Sequence, residues 1–475
     1  NIMFLYNQEQ YDINGPTTLF SSLPQRKQGV AGRVSYSYDG RYYIEGNFGY
    51  NGSENFAKGH RFGFFPSIAV GYNISNEKFW QPIKPVISNL KIRGSWGLVG
   101  NDATNAGRFA YMEDLVLGGS DSYTTGIRQD TYYSGPSWNR YFNPDLTWEV
   151  GEKINLGLDL QLFNDFNLTF DIFREKRRDI FMTRENSIPE IVGTGETKIT
   201  SNNGEMENKG LDLAIDYNKQ ITKDFFLSFK STLTFARNKV LKMDEPPYFE
   251  YPGLSDVGHP LGTYWGYVAD GLFPDQETID NSPRQDLGYT PQPGDIKYVN
   301  QPNAKGEYDN VINSNDRVAI GHPYDPELVY GFGPSMKWKN WDFSFFFQGV
   351  ARTSFMMYGM HPFGTTSIKN MLQFVADDHW SVDNPNPNAA YPRLTKDSNG
   401  NNDQYSTYWL RNAAFLKLKN AEIGYTYKGM RFYLSGVNLL TFSPFKHWDP
   451  EMGGGNGLYY PTQRVFNIGF QMTIQ

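Results

Sequence analysis

Lys153-Ile154-Asn155-Leu156-Gly157-Leu158-Asp159-Leu160-Gln161-Leu162-Phe163 carries an aliphatic side chain at every second position. In an extended chain successive side chains point to opposite faces, so Ile154, Leu156, Leu158, Leu160 and Leu162 share one face. Lys153, Asn155, Gly157, Asp159 and Gln161 share the other. After Asn164-Asp165 the alternation resumes, with Leu168, Phe170 and Ile172 set against Thr169 and Asp171. Two such runs joined by a short polar turn predict a β-hairpin.

Strand length bears on what the oily face meets. Eleven residues at about 3.3 Å each, tilted by about 45°, rise roughly 25 Å, the height of the apolar band of a membrane β-barrel. A strand covering a soluble core needs only about 5–6 residues, and one face of any antiparallel sheet can be oily simply to make a core. The hairpin by itself leaves both readings open.

The whole chain narrows the choice. It has 475 residues, no cysteine, 44 basic against 51 acidic residues and a formal charge of −7. No run approaches the roughly 18–20 apolar residues of a membrane helix, and mean hydropathy is −0.57. That excludes a helical membrane protein but not a barrel, in which alternation hides the hydrophobic face. The acidic balance offers no field for nucleic acid. Absence of cysteine fits a cell-envelope protein built without disulfides, and also fits a cytosolic one.

Further alternating strands are expected over 30–38 and 42–50 around Asp39-Gly40, and over 62–74, 90–99, 211–217, 225–235, 331–338, 341–350, 415–427, 431–438 and 464–474. With the central hairpin they number about 13, and helical periodicity is nearly absent. Connections alternate in length. Short ones fall at 39–40, 164–165, 219–224, 339–340 and 428–429, with 76–89 longer; large polar segments span 100–151, 179–209, 238–330, 352–414 and 440–463. In an up-and-down sheet alternate connections lie at the same end, so this sorting predicts a membrane barrel with short periplasmic turns and long extracellular loops. Aromatic pairs flank the short turns: Tyr38 and Tyr42, Phe163 and Phe166, Trp338 and Trp341, Tyr427 and Phe432. Rings so placed suit a membrane–water interface.

On this pattern residues before 30 fall in a long loop and the strand total is odd. Single-chain bacterial barrels have an even number, so further strands and any signal peptide are expected before Asn1.

Ordered motifs add a family resemblance. Gly63-Phe64-Phe65-Pro66-Ser67, Leu90-Lys91-Ile92-Arg93-Gly94-Ser95-Trp96-Gly97, Asn143-Pro144-Asp145-Leu146-Thr147-Trp148-Glu149 and Glu207-Asn208-Lys209-Gly210-Leu211-Asp212 are followed by Gly266-Tyr267-Val268-Ala269-Asp270-Gly271, Pro293-Gly294-Asp295-Ile296, His379-Trp380, Tyr391-Pro392-Arg393-Leu394, Trp409-Leu410-Arg411-Asn412 and Phe415-Leu416-Lys417-Leu418-Lys419-Asn420. In this order they resemble SusC-like (RagA-like) TonB-dependent transporters over nearly the whole chain. The resemblance implies the C-terminal portion, 1–475, of a 22-stranded barrel in a Bacteroidetes-type outer membrane, with a plug and a TonB box N-terminal to Asn1. It implies active import of oligosaccharides or peptides, energised by TonB, with a SusD-like surface lipoprotein as lid and possible dimers of transporter–lid pairs. The large loops 238–330 and 352–414 are expected to supply most of the lid contact. The family usually closes on an aromatic residue, whereas this chain ends Thr473-Ile474-Gln475.

Residues that could carry chemistry give only weak signals. Asp377-Asp378 and Glu205 with Glu207 cluster as a glycosidase pair must, but acids in loops are far more often solvated. His60, His259, His322, His361, His379 and His447 lack zinc spacing. Gly453-Gly454-Gly455-Asn456-Gly457 lacks the Lys-Ser/Thr of a phosphate loop, and Asn313-Ser314-Asn315-Asp316 lacks the closing Glu of an EF-hand. The expectation is therefore an importer with no catalytic residues, cofactor or metal. Ile154, Leu156, Leu158, Leu160, Leu162, Phe466, Ile468 and Phe470 would face lipid, and Lys153, Asp159, Asp171, Asp212, Asp216 and Lys230 the lumen. Trp138, Trp265, Trp380 and Trp409 are the candidates for stacking on substrate. A passive porin-like channel and a secreted glycan-binding or glycan-cleaving β-sandwich are the alternatives.

Overall fold

The computed structural model describes residues 1–103, 107–118, 122–184, 186–192, 199–359, 371–395 and 398–472. Two compact units emerge, one of residues 1–211 with 237–246 and one of 212–236 with 247–475. Fourteen strands run through them in chain order: β1 Ile2–Tyr11, β2 Gln25–Tyr38, β3 Tyr42–Ser53, β4 Phe62–Asn73, β5 Ile87–Asn101, β6 Glu149–Leu162, β7 Phe166–Thr183, β8 Thr200–Thr222, β9 Phe225–Lys242, β10 Leu328–Trp338, β11 Trp341–Ala351, β12 Phe415–Tyr427, β13 Met430–Phe442 and β14 Val465–Met472. In the first unit β1 to β7 pair antiparallel with their chain neighbours, and in the second β9 to β14 do the same.

Register bears out the reading of the central hairpin. Leu156 sits opposite Ile172 and Leu158 opposite Phe170, with Ile92 of β5 beyond. Ile154 adjoins Trp96, and Leu160 lies between Leu168 and Leu90. Cross-strand rows of this kind hold one face together without covering it. Leu156 remains 51% exposed, and in the second unit Ile468, opposite Leu434, is 90% exposed. Soluble proteins rarely leave such contiguous oil in water, so the alternative of a dry sandwich interior fails for these side chains.

The opposite face is charged and paired. Arg93 of β5 donates from both terminal nitrogens to Asp171 at 2.7 and 2.6 Å, and its Nε reaches Asp159 at 3.3 Å. Gly157 lies beneath; a Cβ there would stand 2.5 Å from the Arg93 guanidinium carbon. The second unit repeats the device, with Arg431 binding Asp342 and Glu422 beside Gly424. Lys153 pairs with Glu175 at 3.3 Å, Asp212 accepts from Thr234 at 2.7 Å, and Lys230 lies 4.0 Å from Asp216.

The tight turns match expectation at 39–41, 163–165, 339–340 and 428–429, where Asp39 and Gly40 both take the left-handed backbone of a type I′ hairpin. Rings meet beside them, Tyr42 on Tyr72 at 5.1 Å and Trp341 on Tyr425 at 4.8 Å.

Four expectations need correction. Residues before 30 are not all loop: β1 pairs with β2 from Ile2↔Val34 to Tyr11↔Gln25. Its five apolar residues followed by four polar ones show no alternation, so periodicity missed it, and with fourteen strands the argument from an odd count lapses. The strands β7 and β8, at 18 and 23 residues, outrun their apolar segments, because Arg174–Glu207 and Lys176–Glu205 ion pairs continue the ladder where oil ends. The 219–224 connection shrinks to a turn at 223–224, and the 100–151 segment contains short hairpin strands at Asp114–Val116, Ser122–Thr125, Thr131–Ser134 and Ser137–Arg140. His361, Thr473, Ile474 and Gln475 lie outside the described residues.

Replacing Arg93 by Met leaves Asp159 and the nearly buried Asp171 facing each other uncompensated. Losing the partner of a buried carboxylate costs about 1–3 kcal/mol. The folded band on an unheated gel should therefore melt at lower temperature in Arg93→Met and recover in Arg93→Met/Asp171→Asn; an unchanged melting temperature would deny the pair any role.

Candidate functional site

In the second unit three long connections, 247–327, 352–414 and 443–464, fold against one another through their described residues. A loop this long must satisfy its own backbone and bury its own apolar groups. Here Tyr267, Leu272, Ile296, Tyr298, Phe355 and Trp409 form the heart of a shared core.

A buried carboxylate ties this core. Asp295 has no exposed surface and accepts from Asn399 Nδ2 at 3.0 Å, Asn402 Nδ2 at 2.8 Å and Gln292 N at 2.8 Å. Arg393 Nε lies 2.7 Å from it, and the guanidinium also donates to the Tyr289 hydroxyl oxygen at 2.8 Å. Opposed to burial, the nearby Asp295 charge holds the Arg393 pKa above its ordinary value. Gln285 extends the network to Tyr298 N at 2.6 Å, and Tyr298 donates to Asn401 O at 2.7 Å. Gly294, with φ +87°, has to be glycine, since a Cβ would lie 2.2 Å from the Trp380 ring.

A second tie clamps the last loop. Lys417 of β12 is fully buried and meets Asp449 at 2.6 Å and Glu451 at 2.5 Å. Paired in this way, the charge escapes the cost of isolation in a low-dielectric interior.

Beside the core opens a cavity of about 290 Å³ bordered by Met357, Val375, Tyr391, Leu394, Asn402 and Trp409. Burial pushes the Tyr391 hydroxyl pKa up, so it stays neutral at physiological pH. Tyr391 shares a 3.2 Å hydrogen bond with His447, whose ring stacks on Phe374 at 4.1 Å. Burial first, and the Arg411 charge second, lower the His447 pKa.

The four tryptophan candidates separate. Trp138 is exposed and stacks on Tyr141 at 5.6 Å, and Trp265 donates to Asp256 at 2.6 Å. Trp380 and Trp409 are each only 7% exposed; Trp380 is core, which corrects its expected role as an open stacking face, whereas Trp409 borders the cavity while donating to Asn402 O at 2.6 Å. Sequence reasoning singled out neither Asp295, Asn399 nor Asn402 as site residues, because amides and acids in a loop give no period.

The carboxylates weighed for catalysis are otherwise engaged. Glu207 pairs with Arg174 and Lys209, Glu205 with Lys176, and Asp377 accepts from Gln373 at 2.6 Å. Asp316 turns inward to accept from Gln301 N and Asn313 N, a cap rather than an opening for a cation. Burial raises its pKa.

Comparison with known proteins places this architecture. Residues 3–439 match the family described as "TonB dependent receptor-like, beta-barrel". "TonB-dependent receptor SusC" of Bacteroides thetaiotaomicron is 29% identical over 494 residues, covering 98% of this chain and 46% of that protein. "TonB-dependent receptor P26" of Formosa agariphila is 28% identical, covering 93% and 45%. The chain thus spans about half the length of these relatives. Among solved structures, that of the RagAB peptide transporter superposes with a TM-score of 0.72 at 22% identity, over 95% of this chain and 48% of that one; this likeness concerns the fold.

Asp295→Ala would orphan the buried Asn399 and Asn402 amides and the Arg393 guanidinium, a loss of about 3–5 kcal/mol for a buried ionic knot. Limited proteolysis should then cut within 243–327 and 352–414 while the strands stay protected; uncut loops would contradict the knot. The His447 shift has a definite sign. A base whose folded pKa is depressed binds its proton more readily when unfolded, so its stability contribution is lost as pH falls below about 6.5. Loop protection should decline between pH 7.5 and 5, and decline less in His447→Gln; identical profiles would show that His447 does not set it.

Proposed function

The chain belongs to the TonB-dependent receptor-like β-barrel family, and we propose that the protein imports oligosaccharides or peptides across the outer membrane using energy delivered by TonB. It is an all-β, integral outer-membrane protein of SusC and RagA type, with antiparallel up-and-down strands. A secreted β-sandwich is thereby set aside.

On this reading the exposed oily face, from Ile154 to Leu162 and at Phe466, Ile468 and Phe470, meets lipid. The paired ladder of Lys153, Asp159, Asp171, Asp212, Asp216 and Lys230 lines the lumen. Charges paired with one another leave a polar wall that grips no ion strongly, which suits passage of bulky solutes. A plug, supplied elsewhere in the protein, would close this lumen until TonB remodels it. The large loops 243–327 and 352–414, stiffened by the Asp295 knot, offer a wide extracellular platform, and a SusD-like lipoprotein would dock there as lid, in dimers of transporter–lid pairs. The tied carboxylates support a transporter that does no chemistry on its cargo.

The match over residues 3–439 carries this reading. Cells expressing the protein should accumulate its cargo only with intact TonB and a proton gradient, and deletion of 352–414 should reduce recovery of the lid protein on pull-down at least tenfold. Uptake indifferent to TonB, or steady conductance in planar bilayers without it, would favour a passive channel instead.

A further inference from the structure

Five tyrosines, Tyr264, Tyr324, Tyr358, Tyr405 and Tyr459, surround a hollow of about 210 Å³ whose floor includes Gly453 and Gly454. Tyr358 and Tyr405 also border the 290 Å³ cavity at Trp409, so the two hollows are neighbours sharing an aromatic wall. Tyr264 meets Tyr405 edge-on at 6.5 Å. Tyr324, Tyr358, Tyr405 and Tyr459 are all exposed. Packing alone does not explain so many open rings around one space, since a core would cover them.

The floor is built to stay open. Gly453 has φ +78°, and a Cβ on Gly454 would lie 2.4 Å from Met356 O. No Asp, Glu, Lys or Arg borders the hollow among the described residues, and the two charged groups that edge the neighbouring cavity are already engaged, Arg393 with Asp295 and Tyr289 and Asp403 with Ser398 and Asn399, so the pair of hollows offers little to a charged ligand. Flat apolar ring faces edged by neutral hydroxyls remain. These complement a molecule that carries C–H faces and hydroxyl groups on one ring, as a pyranose does.

The backbone around the hollow discriminates against a peptide. An extended peptide gains affinity by pairing with a free strand edge. Here that edge is consumed: Gly455 N donates to Met356 O at 2.8 Å, Tyr358 N to Gly455 O at 3.2 Å and Met357 N to Trp409 O at 2.9 Å. Each hollow falls at or below the small end of the usual range of about 300–1,000 Å³ for small-molecule pockets. As neighbours they suit successive rings of one chain.

We propose that this tyrosine hollow is a subsite for a neutral oligosaccharide, one ring stacked between Tyr358 and Tyr405 and the next directed toward Trp409. The inference rests on the importer reading and chooses sugar over peptide within it.

Calorimetric titration of the full-length protein in detergent tests it, with linear neutral hexasaccharides of glucose, mannose and galactose as probes and neutral heptapeptides as the counter-probe. At least one hexasaccharide should bind. Tyr358→Ala/Tyr405→Ala should weaken it at least tenfold, while Tyr358→Phe/Tyr405→Phe, which keeps the ring faces, should stay within about threefold. The unheated-gel band of each variant reports its folding, and the Phe pair keeps the test valid if the Ala pair fails to fold. No hexasaccharide binding, binding indifferent to both tyrosines, or tyrosine-dependent binding of heptapeptides overturns the proposal. Uptake of the same sugars separates the two levels: TonB-dependent uptake with tyrosine-independent binding removes the subsite alone, whereas TonB-independent uptake removes the importer reading.

Discussion

A guanidinium held between carboxylates of adjacent strands lets one face of these sheets carry charge while the other carries oil. Arg93 does this with Asp159 and Asp171 above Gly157, and Arg431 with Asp342 and Glu422 beside Gly424. Successive side chains of a strand point to opposite faces, so each oily residue turned outward commits its neighbours inward. A wall of unpaired like charge would repel itself, and a wall of oil on both faces would have no preferred side. Pairing each cation with acids removes the first problem and keeps the polarity that avoids the second. Glycine is required at both seats because a planar group spanning three strands leaves no room for a Cβ on the middle one.

In the first unit β7 and β8 go on as ion-paired ladders where the oily face ends, and in the second unit the long loops form a small domain with a core of its own. That domain is fastened at two places, the buried Asp295 with Arg393, Asn399 and Asn402, and the buried Lys417 with Asp449 and Glu451. Long loops tied by charge rather than by disulfide agree with a chain that has no cysteine.

Legibility from sequence followed the physics of the solvent. The hairpin from Glu149–Leu162 to Phe166–Thr183 was readable because its oily and polar residues alternate strictly, and the turn at Asp39-Gly40 because only certain residues accept a left-handed backbone. The strand Ile2–Tyr11 was invisible, since its apolar and polar residues are segregated along the chain instead of across it. Extensions such as 200–210 were hidden by being polar on both faces. In the loops the motifs around Asp295, Trp380 and Arg393 could be seen, but their convergence on one buried knot could not, because contacts a hundred residues apart leave no local period. For the same reason the tyrosines at 264, 324, 358, 405 and 459 read as ordinary loop aromatics until the fold assembled them.

The account stands on which solvent each face meets. Nitroxide labels placed singly along 154–161 in the protein reconstituted in bilayers measure this through relaxation by oxygen, which concentrates in lipid, and by a water-soluble nickel chelate. Labels at 154, 156, 158 and 160 should favour oxygen and those at 155, 157, 159 and 161 the chelate, a period of two residues. Equal access to the chelate at all eight positions, or oxygen preference on the Asp159 face, would contradict it.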